Sequence, residues 1–169
     1  FGLISRALNR KVSGLGMSRV LVHDPFVAAS AIRSAGADPS DLEALLKESD
    51  YISIHAPLSE ETTHMIGAPQ FALMKKRAIL VNTARGPLVD ETALCDALES
   101  KRIDYAGLDV FEQEPLPNDS PLRKLDNVIL TDHAAWYSEE SMRELQSKTA
   151  RNVADVLSGK RPTYPVNEV

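Results

Sequence analysis

The sequence is poor in cysteine, in long apolar runs and in charge of a single sign. Its one cysteine, Cys95, can form no internal disulfide, so we expect a buried, inert thiol and no metal site. No apolar run approaches the roughly 18 residues of a membrane span and no signal-peptide pattern occurs, so we expect a cytoplasmic protein without a membrane partner. Acids and bases are interspersed at a net charge of −5, which argues against direct nucleic-acid binding.

What the sequence does contain is an alternation of short apolar runs and helical patterns. With 169 residues, 43% of them hydrophobic, it can form about one domain with a sizeable core. Strands are predicted at 19–23, 51–55, 78–82, 106–110 and 127–131. Helices are predicted at 3–14, 26–35, 41–49, 69–75, 90–100 and 138–157. The pattern indicates an α/β fold with a doubly wound parallel sheet covered on both faces.

Local signals refine this outline at two places. Ser40 and Glu43 predict a capping box at the start of the helix DLEALLKES. The chain opens on a helical pattern at Phe1, whereas a doubly wound nucleotide-binding sheet normally begins with a strand, so we expect the first strand to be absent. We expect one domain over residues 1–158, incomplete at its N-terminus, followed by a C-terminal segment, 159–169.

Three ionisable residues follow the ends of predicted strands. Arg85, Glu114 and His133 come after the runs AILVN, YAGLDV and NVILT. Ligands bind outside the carboxyl ends of the strands in such sheets, so all three are expected at one edge. Arginine can clamp a carboxylate and histidine can exchange a proton near neutral pH, a combination that suits redox chemistry on a 2-hydroxy or 2-keto acid. Taken singly, each could instead be an ordinary surface arginine, loop acid or strand-end histidine.

The start of the chain carries part of a dinucleotide-binding motif. Phe1 to Ser5 resembles the inside of a G-x-G-x-x-G fingerprint in which Gly2 is the middle glycine and Ser5 replaces the third. Asp24 follows about twenty residues later, where the motif expects an acid for the ribose hydroxyls, and no arginine comes after it. This favours NAD over NADP. Alternatively, Asp24 opens a turn with Pro25.

Three longer segments carry a resemblance to a known family. VNTARGPLVDETAL at 81–94, GLDVFEQEP at 107–115 and TDHAAWYSEES at 131–141 closely resemble the NAD-dependent D-2-hydroxyacid dehydrogenases. The resemblance implies a Rossmann-type NAD-binding domain of a two-domain enzyme, with most of the substrate domain missing, and a homodimer. It assigns Arg85 to substrate binding, His133 to acid/base catalysis and Glu114 to orienting the histidine.

The same resemblance implies further contacts with the cofactor and the substrate. Besides Asp24, the cofactor-binding residues it suggests are Gly2, Leu3, Ile4, Ala56, Pro57, Leu58, Thr62, Thr83, Ala84 and Asp109. Asp109 could instead cap the following turn. His55 and His64 are expected to be loop histidines.

The segment HAAWYSE departs from the general family pattern and is similar to the C-terminal-binding-protein co-repressors and their bacterial relatives. Trp136 would form an apolar wall for a substrate side chain, or pack against the missing domain. Asp132 stands where the family usually has proline. The expected function is hydride transfer between NAD(H) and a D-2-hydroxy or 2-keto acid; the alternative is an NAD(H)-sensing scaffold with incidental dehydrogenase activity.

Overall fold

The computed structural model describes residues 1–165 and 167, and the chain forms two compact units, Phe1–His133 and Ala134–Val169. The helices of the first unit are α1 (Leu3–Val12), α2 (Ala29–Ser34), α3 (Leu42–Glu48), α4 (Ala68–Leu73) and α5 (Glu91–Glu99). Its strands are β1 (Leu21–Val22), β2 (Asp38–Pro39), β3 (Tyr51–Ile54), β4 (Ile79–Asn82), β5 (Tyr105–Leu108) and β6 (Val128–Leu130). Short 3₁₀ turns cover Ser13–Leu15, Gly86–Leu88 and Pro121–Lys124.

All strand pairings in the first unit are parallel. β1 pairs with β2, and β3, β4, β5 and β6 form a four-stranded sheet in that order. The predicted α/β class with a parallel sheet is therefore confirmed, and each predicted strand lies within one or two residues of an observed one. The strand β2 was not predicted, because two residues are too short to show an apolar period.

The core lies on one face of the four-stranded sheet. Along β3, β4 and β5 every second side chain is buried, and these side chains pack with Phe71 of α4 and with Leu94 and Leu98 of α5. On the opposite face, Tyr51 and Tyr105 stay exposed. Buried residues of β3, β4 and β5 alternate with exposed or half-buried ones, so the expected full burial of both sheet faces is observed on one face.

Cys95 of α5 is half-buried beside this core, less enclosed than the sequence led us to expect. Burial raises the pKa of its thiol. The thiol therefore stays protonated at neutral pH, as expected of an inert cysteine.

Aspartates begin two helices of the first unit. The Asp41 carboxylate accepts a hydrogen bond from Ala44 N–H at 2.7 Å, and Asp90 does the same for Ala93 at 3.0 Å. The predicted capping box of Ser40 and Glu43 is wrong. Asp41 takes the N-cap position instead, because its carboxylate reaches the first-turn amides directly.

The second unit is built around one long helix, α6 (Glu139–Leu157). Ser138 caps it by accepting a hydrogen bond from Ser141 N–H at 3.1 Å. The chain then returns along the helix, where Asn152 exchanges two hydrogen bonds with the backbone of Tyr164. The predicted domain boundary after residue 158 stays a prediction. In residues 1–165 and 167, no helix combines the length and apolarity needed to cross a membrane.

Candidate active site

The register of the four-stranded sheet aligns the ends of its strands. Ile54 pairs with Asn82, Asn82 with Leu108, and Leu108 with Leu130. The loops that follow these residues therefore start side by side at the carboxyl edge of the sheet. Those loops contain Arg85, Glu114 and His133, as the sequence predicted.

Glu114 and His133 form a direct pair at this edge. His133 Nδ1 lies 2.8 Å from Glu114 Oε2, and Glu114 Oε1 accepts a hydrogen bond from Phe111 N–H at 3.1 Å. An ionised carboxylate only accepts hydrogen bonds, so Nδ1 carries the proton of this contact. The hydrogen bond from His133 lowers the pKa of Glu114, with smaller contributions from Phe111 N–H and the charges of His133 and Arg85. The pair is therefore an ionised carboxylate beside an oriented imidazole.

The backbone of His133 adopts a conformation that few non-glycine residues use. Its φ angle is 48°, in the left-handed region, and its N–H donates to Asp109 O at 2.9 Å. Asp109 is only 3% exposed, and its carboxylate accepts a hydrogen bond from Thr131 Oγ1 at 2.5 Å. The surrounding structure thus holds His133 in place against its backbone preference.

Asn82 shapes the turn that leads to Arg85. Its side chain is 1% exposed, donates to Arg85 O at 2.8 Å and accepts from Ala84 N–H at 3.0 Å. The sequence analysis missed this residue. Its signal was a polar side chain at the end of an otherwise apolar strand, where asparagine commonly organises a turn.

Gly86 brings the Arg85 turn against the segment that carries Glu114. A Cβ atom on Gly86 would lie 1.9 Å from both the carbonyl carbon and the oxygen of Phe111. Only glycine permits this approach. The loops bearing the arginine and the glutamate are therefore in backbone contact.

The Arg85 side chain is exposed at the same edge. Its Nη1 donates to its neighbour Ala84 O at 2.6 Å. Its positive charge contributes to the lowered pKa of Glu114. The structure thus brings together the cation, the carboxylate and the imidazole that the sequence singled out.

The start of the chain has features that fit a dinucleotide. Gly2 is the N-cap of α1, and, apart from its chain neighbours, no heavy atom of the described residues lies within 4 Å of the position that its Cβ would take. The first amides of a helix have no partner inside it and favour negative charge. Leu3 and Ile4, in this first turn, are 90% and 72% exposed. Open space beside a helix N-terminus fits the pyrophosphate of a dinucleotide.

Asp24 lies beside this glycine turn. Its Oδ2 contacts the backbone nitrogen of Phe1, and its Oδ1 accepts a hydrogen bond from Phe26 N–H at 2.8 Å. The turn-forming role considered from the sequence is therefore present. The carboxylate and the glycine turn also adjoin each other, as a dinucleotide fingerprint requires.

The remaining residues predicted to contact the cofactor lie in two loops. Ala56 is half-buried, while Pro57 and Leu58 are exposed in the loop after β3. In the same loop the Thr62 hydroxyl donates to Pro57 O at 2.8 Å and accepts from Ser59 N–H at 2.8 Å. These two hydrogen bonds close the loop on itself, so Thr62 shapes the surface formed by its neighbours.

The loop after β4 carries Thr83 and Ala84, two further residues predicted to contact the cofactor. Thr83 is exposed and Ala84 half-buried, both directly after Asn82.

Trp136 belongs to the second unit. It is 52% exposed and stacks edge to face on Tyr137, with 5.7 Å between ring centroids. Its predicted contact with substrate stays a prediction.

A further polar cluster was not predicted from the sequence. His64 Nε2 lies 3.0 Å from Glu112 Oε1, which also accepts the Glu91 N–H at 3.0 Å. In return, Glu112 N–H donates to Glu91 Oε1 at 2.5 Å. His64 is thus more than an isolated loop histidine. The three residues belong to separate segments, and no sequence pattern indicates their contact.

Comparison with known proteins identifies the same family as the sequence resemblance. Residues 1–135 match the family described as "D-isomer specific 2-hydroxyacid dehydrogenase, NAD binding domain". A glyoxylate reductase from Korarchaeum cryptofilum is 46% identical over 167 residues, which cover 99% of this chain and 50% of that protein. A D-3-phosphoglycerate dehydrogenase from Methanocaldococcus jannaschii is 41% identical over 167 residues, 98% of this chain and 32% of that protein.

Solved structures give the same result. The crystal structure of D-lactate dehydrogenase with NAD⁺ from Lactobacillus jensenii matches with a TM-score of 0.88 and 35% identity, over 98% of this chain and 53% of that one. The holo form of Rhodotorula graminis D-mandelate dehydrogenase matches with a TM-score of 0.90 and 37% identity, over 99% of this chain and 49% of that one. The chain therefore spans about half the length of many of its relatives.

Proposed function

Because the chain belongs to the family of NAD-binding domains of D-isomer specific 2-hydroxyacid dehydrogenases, we propose that it carries the catalytic groups of such an enzyme. The reaction is the interconversion of a D-2-hydroxy acid and its 2-keto acid. The observation that carries the proposal is the Glu114–His133 pair, 2.8 Å apart at the carboxyl edge of the sheet, with Arg85 at the same edge. A bound nicotinamide supplies or accepts the hydride of this reaction.

His133 moves the proton. Its Nδ1 is committed to Glu114, so Nε2 is the nitrogen that gives a proton to the carbonyl oxygen of the keto acid or removes it from the hydroxyl. The lowered pKa of Glu114 keeps that carboxylate ionised, and its charge stabilises the protonated imidazole. Glu114 thereby orients the ring and supports both directions of the reaction.

Arg85 binds the substrate carboxylate. A guanidinium presents two parallel N–H groups to a carboxylate, which fixes the orientation of the substrate as well as its position. The exposed Arg85 side chain donates a hydrogen bond from Nη1 to the adjacent Ala84 carbonyl. An incoming carboxylate can therefore recruit the guanidinium by displacing this neutral acceptor.

The cofactor is held at two places. The turn at Gly2, Leu3 and Ile4 receives the pyrophosphate, and Asp24 accepts hydrogen bonds from the ribose, which selects NAD over NADP. The backbone and side chains that line the nicotinamide end are those of Ala56, Pro57, Leu58, Thr62, Thr83, Ala84 and Asp109. Asp109 also acts through its backbone, because its carbonyl holds the His133 N–H.

Several finer features of the whole protein belong to the same proposal. It is a cytoplasmic homodimer whose second domain completes the substrate site. Trp136 provides an apolar wall for the substrate side chain. A co-repressor-like scaffold is the second candidate, resting on the HAAWYSE segment; the relatives named as reductases and dehydrogenases favour the enzyme.

The proposal is tested in the whole protein with Arg85→Ala and Arg85→Lys. NADH consumption is followed with glyoxylate, hydroxypyruvate and the 2-keto acids of lactate and mandelate. We expect kcat/KM to fall by about 10²-fold or more for Arg85→Ala, with partial retention in Arg85→Lys, since lysine keeps the charge and loses the bidentate geometry. Arg77→Ala, at a 91% exposed arginine, is the control. Unchanged kcat/KM in Arg85→Ala for every active acid refutes the assignment.

A further inference from the structure

We propose that Glu112 is a positioning residue, which fixes the turn carrying Glu114 by linking it to the start of α5 and to the loop after β3. This inference rests on the proposed function, because it concerns the placement of Glu114 against His133. Glu112 lies two residues before Glu114, and within the described residues its side chain hydrogen-bonds to Glu91 N–H and His64 Nε2. We therefore expect its effect on catalysis to be transmitted through the turn.

The first link is reciprocal and joins Glu112 to Glu91. Glu112 Oε1 accepts the Glu91 N–H at 3.0 Å, and Glu91 Oε1 accepts the Glu112 N–H at 2.5 Å. Glu91 is the first residue of α5, where an amide lacks a helical partner and a negative charge is favoured. This double hydrogen bond fixes both the backbone and the side chain of Glu112.

The second link joins Glu112 to His64. His64 Nε2 lies 3.0 Å from Glu112 Oε1, and the His64 backbone N–H donates to Pro87 O at 2.7 Å. His64 has a φ angle of 53°, so its backbone is held in the left-handed region, as that of His133 is. Through His64, Glu112 is tied to the same 3₁₀ turn that begins at Gly86.

Both links hold Glu112 next to the backbone contact between Gly86 and Phe111. A Cβ on Gly86 would lie 2.5 Å from Glu112 N, so the peptide between Phe111 and Glu112 rests directly on Gly86. Phe111 N–H donates to Glu114 Oε1 at 3.1 Å. The peptide that Glu112 fixes is thus adjacent both to the Arg85 turn and to the amide that orients Glu114. If the peptide shifts, Glu114 Oε2 moves relative to His133 Nδ1.

Two variants distinguish the side-chain length of Glu112 from its negative charge. Glu112→Gln keeps an acceptor oxygen at the same distance and loses the charge. Glu112→Asp keeps the charge and is one methylene too short. In the whole protein we expect kcat/KM for a 2-keto acid to fall on the order of 10-fold in Glu112→Asp, because misplaced catalytic groups are costly, and to stay within about twofold of the original in Glu112→Gln. Glu43→Asp, at an exposed acid of α3, is the matched control.

A double mutant shows whether the effect passes through Glu114. If Glu112 acts by placing Glu114, then Glu112→Asp combined with Glu114→Gln has the same kcat/KM as Glu114→Gln alone, within about twofold. If the double mutant instead loses the product of the two single-mutant factors in kcat/KM, the inference is overturned. It is also overturned if Glu112→Asp keeps full activity, or if Glu112→Gln loses as much kcat/KM as Glu112→Asp.

A second measurement does not depend on turnover. The ¹⁵N NMR chemical shift of His133 Nδ1 reports its hydrogen bond with Glu114. We expect this chemical shift to change in Glu112→Asp and to equal that of the original protein in Glu112→Gln. If the protein reduces no 2-keto acid, the proposed function fails while this signal still decides the role of Glu112. An unchanged signal in Glu112→Asp overturns that role.

Discussion

The Glu114–His133 pair and the Arg85 guanidinium lie at the same sheet edge, yet the fold holds them differently. Both carboxylate oxygens of Glu114 have partners, and His133 is fixed by its Nδ1 and by its backbone N–H. The Arg85 side chain, by contrast, has its hydrogen bond with the adjacent Ala84 carbonyl. The Glu114–His133 pair is therefore fixed by several hydrogen bonds, and the Arg85 side chain can still adjust.

The difference fits the roles proposed for the three groups. A histidine proposed to transfer a proton, and the carboxylate proposed to orient it, would gain from being fixed in advance. A guanidinium that binds an anion can exchange its hydrogen bond with a neutral carbonyl for a bidentate pair with a carboxylate. Buried Asn82 nevertheless fixes the backbone of Arg85 by donating a hydrogen bond to its carbonyl. Only the Arg85 side chain is therefore left to adjust. Three substitutions test this contrast between a fixed pair and an adjustable arginine.

The largest effect is expected from His133→Gln. Glutamine has a similar reach but cannot exchange a proton near neutral pH, so we expect kcat to fall by roughly 10²- to 10⁴-fold, as for other losses of a general acid or base. Steady-state kinetics with NADH and the best 2-keto acid measures this. The affinity for NADH, determined by titration calorimetry, should change little. A kcat within a factor of two of the original would remove His133 from the mechanism.

Glu114→Gln should have an intermediate effect, about 10- to 100-fold on kcat/KM, because the imidazole remains present but loses its charged partner. It also predicts a pH dependence of stability. The hydrogen bond from His133 lowers the pKa of Glu114 in the folded protein below its ordinary value of 4.5. The ionised carboxylate therefore stabilises the fold fully at pH values above that ordinary pKa, and this stabilisation is lost as the pH falls through the lowered pKa.

Urea unfolding of both proteins between pH 3 and pH 7 checks this sign. The original should exceed Glu114→Gln in stability at pH 7, and the difference should shrink in the acidic range. A difference that grows on acidification contradicts the lowered pKa of Glu114.

Much of this edge could be predicted from the sequence, for a physical reason. Apolar runs mark buried strands, and parallel strands in register end side by side, so residues just beyond the runs must gather. That is why Arg85, Glu114 and His133 were found together. Choices between chemically similar neighbours were harder, as Asp41 shows by capping α3 in place of Ser40.

The contacts among His64, Glu91 and Glu112 could not be predicted in this way. Each residue is an ordinary polar residue in its own segment, and their meeting depends on how three loops pack. Sequence periodicity reports which face of an element is buried, not which side chains from different loops touch. These contacts are therefore visible only in three dimensions.

The smallest effect, and the finest probe of the fixed side of the site, is expected from Glu91→Gln. Burial and the nearby charge of Glu112 raise the pKa of Glu91 even though it accepts the Glu112 N–H, so its ionised form is a cost to the folded state. That cost is complete above the raised pKa and vanishes below the unfolded value of 4.5.

Glutamine can still accept the Glu112 N–H without carrying the charge. We therefore expect Glu91→Gln to stabilise the protein at pH 7 by on the order of 0.5 kcal/mol, a gain that disappears toward pH 4. Denaturant unfolding at the two pH values measures it, with Glu99→Gln at an exposed position of α5 as the matched control. Destabilisation at pH 7 would show that the hydrogen bond between Glu91 and Glu112 depends on the charge. Glu112 would then be held by electrostatics as much as by geometry.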